Sequence, residues 1–214
     1  MAEAPVTYEV DYAESLNRPA GFYKWILAFP HYIILDIYGF IAFIFAIIAW
    51  VNIYRLGTYP RNSYDFIMGF LRWFARTYAY ALCMRDEYPP FADEEYPVRV
   101  DVPYPEGTLP KGVIIQFIKV IPAAFMAWIF GLFYFVTVIV AAINIFRTGR
   151  YPEGLFRFGV SMQRWYLHIY AYAFGIVQEY PPLGIDMSGV QLRIEPQEPQ
   201  EPQEPPPGGG TPEP

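Results

Sequence analysis

The chain has 214 residues, of which 54% are hydrophobic and only 17% are charged, whereas a soluble domain usually carries about a quarter charged residues. The net charge of −6 comes mostly from glutamates in the last twenty residues, so the body is nearly neutral and lacks the basic footprint of a nucleic-acid-binding protein. The single cysteine, Cys83, excludes an internal disulfide and a cysteine-built metal site. This composition predicts an integral membrane protein.

A tandem repeat organises the chain. Displacing the sequence by 92 positions aligns residues 5–91 with residues 97–183 without a gap, and about a third of the positions match. Such internal similarity is the signature of duplication. We therefore predict a first unit at residues 1–95 and a second at residues 96–187. The recurring landmarks are aromatic, arginine and proline motifs: Tyr59 and Pro60 with Tyr151 and Pro152, Arg72 and Trp73 with Arg164 and Trp165, and Tyr88 and Pro89 with Tyr180 and Pro181.

A short extended segment begins each unit and recurs once before the tail. Residues 5–12, 96–102 and 188–194 share a spaced pair of β-branched residues, and the last segment alternates apolar and polar residues. This alternation is typical of a strand with one buried face. We predict that the three segments form a small sheet outside the membrane, and three unrelated linkers are the alternative.

The first helix of each unit is predicted to be transmembrane. Residues 120–146 contain no charge, and at ~1.5 Å per residue a helix of this length exceeds a hydrocarbon core of ~30 Å. The counterpart at residues 30–54 contains one charged residue, Asp36.

The second helix of each unit is apolar except for one polar stripe. The spacing i, i+4, i+7, i+11 places the polar positions on one helical face. The helix either crosses the membrane with the stripe against partner helices, or lies in the interface with the stripe in water. The charged or titratable side chains of the stripe are Asp65, Arg72 and Arg76 in residues 63–84, and Arg157, Arg164 and His168 in residues 154–177.

Topology favours crossing by the second helices. If each unit crosses twice, all three strands lie on one side and can pair. We therefore predict a mainly α-helical integral membrane fold with two tandem helical hairpins, four membrane-associated helices and an extramembrane sheet of about three short strands. The connections 55–61 and 147–150 would then lie across the membrane from the strands. Their four arginines indicate the cytoplasm.

Residues 195–214 form a low-complexity tail. Proline recurs at every third position through much of it, which favours a disordered, polyproline II spacer without a core. A docking peptide is the alternative.

The motif order in the first unit resembles a bacterial membrane-protein family catalogued as domain of unknown function 4389. The resemblance rests on Tyr59-Pro60, Arg72-Trp73 and the later Tyr-Pro-Pro run, and it covers both units. The second copy departs from the motif where Arg157 replaces Asp65. The resemblance implies a bacterial membrane protein and supplies no activity. Together with the predicted pairs of membrane helices, it leads us to expect a multi-pass protein of the cell membrane.

Arg72 and Arg164 have the strongest claim to a role. An arginine within the membrane must be paired or hydrogen-bonded and marks a functional site by default. Its planar fork suits a phosphate, and therefore a lipid headgroup or an anionic substrate. The alternative is that each arginine snorkels to headgroups or braces a helix carbonyl, with Trp73 and Trp165 beside it in the interface.

Asp36 is the single carboxylate of an otherwise apolar span, and we expect it to pair with Arg72 or Arg76 rather than to carry protons. His31 and His168 occupy non-equivalent positions and are expected to be hydrogen-bonded packing residues. Because the sequence has no phosphate-binding loop, nucleophile elbow or zinc-binding helix motif, we predict no catalytic, cofactor-binding or metal site.

These observations favour a structural or accessory component of a membrane complex over an enzyme. The expected partners are the lipid bilayer and either another membrane protein or further copies of the chain, without nucleic acid. Two alternatives are a small oligomeric transporter or channel lined by the polar stripes, and a membrane protein that binds anionic lipid.

Overall fold

The computed structural model describes residues 5–91, 94–187 and 193–194. The predicted tail at 195–214 and most of the third strand segment, residues 188–192, lie outside the described residues. The elements in chain order are β1 (Thr7–Tyr12), α1 (Ala20–Leu27), α2 (Phe29–Leu56), α3 (Arg61–Ala81), β2 (Val98–Asp101), a 3-10 helix (Lys111–Ile115), α4 (Gln116–Lys119), α5 (Ile121–Thr148), α6 (Glu153–Ala173) and β3 (Arg193–Ile194).

Proline and glycine set the limits of the two long helices. Both α2 and α5 have a proline within their first two positions, where the missing N–H group costs no hydrogen bond. Gly57 and Gly149 end these helices with φ angles of 76° and 75°, and each donates its N–H to the carbonyl four residues earlier. A left-handed C-cap of this kind favours glycine, which explains why both glycines recur in the repeat.

The three predicted strands pair in one sheet, in the order β2-β1-β3. β1 is antiparallel to β2, with Val10 opposite Val98, and parallel to β3. The prediction of a small three-stranded sheet is therefore confirmed. The apolar side chains of β1 and β2 are buried on one face, and Glu9 and Arg99 are exposed on the other.

The sheet, α3 with α6, and α2 with α5 form successive layers. α3 lies along the sheet because its two ends bind opposite ends of it: the Tyr64 hydroxyl donates to the Val102 carbonyl, and Arg85, just beyond α3, donates to the Asp11 carbonyl. α2 packs on α3 through aromatic contacts such as Phe45 with Phe66. In the second unit α6 packs against β1, and α5 packs against α6.

The two units interlock at their hairpin turns. The Tyr12 hydroxyl donates to the carbonyl of Tyr151 in the second unit, and the Tyr104 hydroxyl donates to the carbonyl of Tyr59 in the first, each across 2.5 Å. The N–H groups of Leu16 and Leu109 likewise donate to the carbonyls of the capping glycines in the opposite unit. Each unit therefore helps to hold the hairpin turn of the other unit in place.

These contacts correct the predicted topology. The turns after α2 and α5 touch the chain beside the strands, so they cannot lie across a hydrocarbon core of ~30 Å from them. Two described stretches, Phe29–Leu56 and Lys111–Thr148, are long and apolar enough to cross a membrane; α3 and α6 are not among them. The predicted topology requires lipid to cover the apolar faces of α3 and α6, whereas in the structure the sheet and the long helices cover them.

Candidate functional site

A groove of about 370 Å³ opens between α2, α3 and α6. Phe70, Phe74 and Tyr78 form its α3 wall because side chains four residues apart share a helical face. Tyr170 and Phe174 contribute the wall from the second unit. The remaining lining residues come from α2: Tyr32, Leu35, Asp36 and Gly39.

Asp36 is the one charged residue among the described residues that line this groove. Its side chain is exposed, and among the described residues it takes part in no ion pair or hydrogen bond. Burial first, and the negative charge of Asp36 second, raise the pKa of the Tyr170 hydroxyl. Asp36 therefore lies close enough to Tyr170 for its charge to act on the tyrosine hydroxyl.

The expected pairing of Asp36 with Arg72 or Arg76 does not occur in the described structure. Both arginines are displaced by two positions from Phe74, which corresponds to about 200° around the helix at ~3.6 residues per turn. Because Phe74 faces the groove, the arginines point away from it. Arg72 is half-buried and forms no hydrogen bond or ion pair with a described residue.

Trp73 on α3 belongs to an aromatic cluster outside the groove, together with His31 of α2 and Phe91. Its Nε1–H donates to Nδ1 of the buried His31 across 3.1 Å, so this imidazole nitrogen carries no proton. The His31 ring stacks on Phe91 at a centroid distance of 4.3 Å. His31 is thus a hydrogen-bonded packing residue in the first unit.

Arg164, Trp165 and His168 brace the segment that follows α6. Arg164 donates to the carbonyl of Asp186, and Trp165 donates to that of Pro182, both across 2.7 Å. His168 Nε2 lies 3.1 Å from the Glu179 carbonyl, and burial lowers its pKa. Arg72 and Arg164 therefore occupy equivalent repeat positions without equivalent contacts.

Sequence reasoning missed a buried polar network where α1 meets the segment after α3. Lys24, only 2% exposed, donates to the carbonyl of Arg85 and to the carboxylate of Asp86. Asp86 also accepts the N–H of Asn17, and the Arg85 guanidinium binds both oxygens of Glu87. The repeat contains an indication of this contact. At the positions equivalent to Lys24 and Asp86 the second unit has Gln116 and Gln178, two side chains that can hydrogen-bond to each other.

Comparison with known proteins yields one match. A family model described as a domain of unknown function (DUF4389) matches residues 18–93 and 110–183. These two segments lie within the two predicted units, so the prediction of two tandem copies of this family is confirmed. No curated protein and no solved structure matches the chain.

Proposed function

The chain belongs to the family described as domain of unknown function DUF4389, in two tandem copies, and because this family supplies no activity we propose a function from the architecture of the chain. The protein is an integral membrane protein that inserts from one side of the bilayer. There it acts as a structural or accessory component of a membrane complex.

The uncovered apolar faces of α2 and α5 carry this proposal. Only 28% of the most apolar stretch of Phe29–Leu56 is buried, and only 17% of that of Lys111–Thr148. The core helix of a soluble protein would be mostly covered, and apolar patches this large indicate a membrane or protein interface. Large side chains such as Phe40 and Phe135, each 66% exposed, project from these faces.

The position of the helix ends supports insertion from one side rather than repeated crossing. α2 ends at Gly57, which binds Leu109 beyond β2, and α5 ends at Gly149, which binds Leu16 beyond β1. The beginning of α2 lies near the same sheet, since Lys24 of the preceding helix binds Arg85. An open sheet edge is not tolerated in hydrocarbon, so the sheet stays in water while α2 and α5 lie along the bilayer with their apolar faces in the acyl region.

The charge distribution agrees with this orientation. The face of the sheet turned away from the helices is covered by ion pairs, including Arg99 with Asp11 at 3.0 Å and Arg193 with Asp11 at 3.6 Å. Exposed arginines also flank both turns, where they can meet headgroups of the anionic cytoplasmic leaflet. These residues are Arg55, Arg61, Arg147 and Arg150.

The outer strand of the sheet supports an accessory role. Among the described residues β2 is an outer strand in the order β2-β1-β3, and an outer strand is the place where a partner protein can add a strand of its own. A transporter path along the polar stripes is less well supported, because Arg164 and His168 bind the segment after α6.

Site-directed labelling tests the orientation. Cysteines are introduced singly as E9C, T58C and R150C in a C83A background, and a membrane-impermeant maleimide is applied to sealed vesicles of each orientation. One-sided insertion predicts that all three positions label from the same side. If Thr58→Cys and Arg150→Cys label only from the side opposite Glu9→Cys, the result would contradict one-sided insertion and support the hairpin topology. Release of the unmodified chain by alkaline carbonate would refute integral membrane insertion.

A further inference from the structure

We propose that the groove between α2, α3 and α6 binds the alkylammonium headgroup of a membrane phospholipid, with Asp36 as its counter-ion. This inference rests on the proposed membrane insertion and adds a class of ligand to it. Three features of the groove support it: its aromatic walls, its single negative charge and its continuity with the lipid-facing surface.

The walls have the composition of an aromatic cage. Tyr32 and Tyr78 lie 5.8 Å apart by ring centroid, Phe74 and Tyr78 lie 4.3 Å apart, and Phe74 and Tyr170 lie 5.2 Å apart. Aromatic faces attract a cation through their quadrupoles, and aromatic cages recognise quaternary ammonium groups. A volume of about 370 Å³ also provides more room than a single ion needs.

The charge of the groove selects a cation over an anion. Asp36 is the one charged side chain among the lining residues, and it has no cationic partner among the residues described. A carboxylate beside apolar rings and lipid interacts strongly with an ammonium group because the local dielectric constant is low. The anionic-lipid alternative would require arginines in the groove, and both Arg72 and Arg76 face elsewhere.

The rim of the groove favours a lipid over a soluble amine. Ile33, Ile37 and Phe40 flank Asp36 on α2 and are at least half exposed. They belong to the apolar face that the proposed function places in the acyl region. A headgroup held at Asp36 would therefore leave its acyl chains along this face, within the bilayer.

The second unit does not repeat this groove at the equivalent place. Trp128 stands where the first unit has Asp36, and it is 64% exposed. Ala124 replaces Tyr32, and Met162 replaces Phe70. The equivalent place in the second unit thus lacks the carboxylate and two of the aromatic walls.

A competition experiment tests the assignment. The full chain, purified in detergent, is incubated with equal amounts of phosphatidylcholine and phosphatidylglycerol with identical acyl chains, and retained lipid is measured by native mass spectrometry. We expect the wild type to prefer phosphatidylcholine by roughly fivefold or more, as a desolvated cation–π site with a counter-ion would. D36N should lose the preference. E106Q, which removes an exposed carboxylate elsewhere, should keep it.

The outcomes separate the inference from the proposed function. Equal retention of both lipids by the wild type, or an unchanged preference in D36N, would overturn the inference. A melting curve of D36N, recorded in parallel, shows whether this variant is folded. If equimolar choline displaces phosphatidylcholine, the ligand of the groove is a soluble amine and the assignment to a lipid headgroup is wrong. Flotation with phosphatidylglycerol liposomes is measured separately: if the wild type floats, membrane insertion stands even when headgroup selectivity is absent, and if it does not float, the proposed function fails as well.

Discussion

The ammonium group of Lys24 donates to Oδ1 of Asp86 across 2.5 Å, although the lysine is almost completely buried. At the equivalent place in the second unit, the amide of Gln116 donates to Oε1 of Gln178 across 2.8 Å. The two units thus keep one hydrogen bond between the pre-helix segment and the end of the second helix, and only the first unit makes it with charges. The shared requirement is the hydrogen bond rather than the ion pair.

This comparison predicts the behaviour of a double variant. Lys24→Gln alone should lower the free energy of unfolding by about 1–3 kcal/mol, because Asp86 loses its cationic partner but keeps the N–H of Asn17 and is partly exposed to solvent. Combining it with Asp86→Gln should recover more than half of the loss by recreating the amide pair of the second unit. Denaturant unfolding in detergent measures both, with the exposed Lys111→Gln as control. A double variant no more stable than the single one would contradict this.

The reciprocal tyrosines predict that the units stabilise each other. Tyr12→Phe and Tyr104→Phe each remove one hydrogen bond to the opposite turn and should cost about 1 kcal/mol. Because Tyr12 and Tyr104 lie toward opposite ends of the β1–β2 pair, their effects should add. Tyr54→Phe, at an exposed position on α2, is the matched control and should change nothing. Equal melting temperatures for wild type and the Tyr12→Phe/Tyr104→Phe double variant would show that these bonds do not hold the units together.

Gly175 should be intolerant of a side chain. Its φ angle of 80° lies in the left-handed region, and an added Cβ would stand 2.8 Å from Val113 Cγ2 and 3.0 Å from Trp50 Nε1. Backbone strain and overpacking together predict a loss of about 2–4 kcal/mol for Gly175→Ala. Gly112→Ala, which meets nothing closer than 4.0 Å, should be nearly neutral. A smaller loss at Gly175 than at Gly112 would argue against the described contact between α6 and the segment before α5.

His168 should make stability depend on pH near neutrality. Burial lowers its pKa below the ordinary value, with the hydrogen bond to the Glu179 carbonyl acting in the opposite direction. The unfolded chain therefore binds a proton at His168 when the pH falls below ~6.5 while the folded chain does not yet do so. This contribution is fully present above that pH and is lost as the pH falls toward the folded pKa. Melting curves between pH 7.5 and 5.5 should show a shallower decline for His168→Gln, which retains a donor for Glu179; an identical slope would assign the decline to other groups.

The sequence by itself determined the repeat, the paired helices and the three strands. Tyr-Pro turns and apolar runs act locally, so their positions locate the ends of α2, α3, α5 and α6 to within four residues. The strand segments could be recognised because they recur at the repeat distance and alternate in polarity. Belonging to the family could be predicted for the same reason, since its landmarks lie at fixed spacings along the chain.

Only the tertiary structure decided what covers each helix face. Hydropathy and periodicity describe an amphipathic helix in isolation, and the apolar face of α3 would satisfy them equally against lipid or against protein. The contact between Tyr64 and Val102 resolves this by placing α3 along the sheet, and the two turns follow onto the same side as the strands. The surroundings of Asp36 depend on the same packing. The sequence predicts a partner for Asp36 on the polar stripe of α3, but that helix turns Phe74 and Tyr78 toward the groove and its arginines away from it. A side chain's neighbours across the fold depend on such long-range pairings, and no local pattern in the sequence records them.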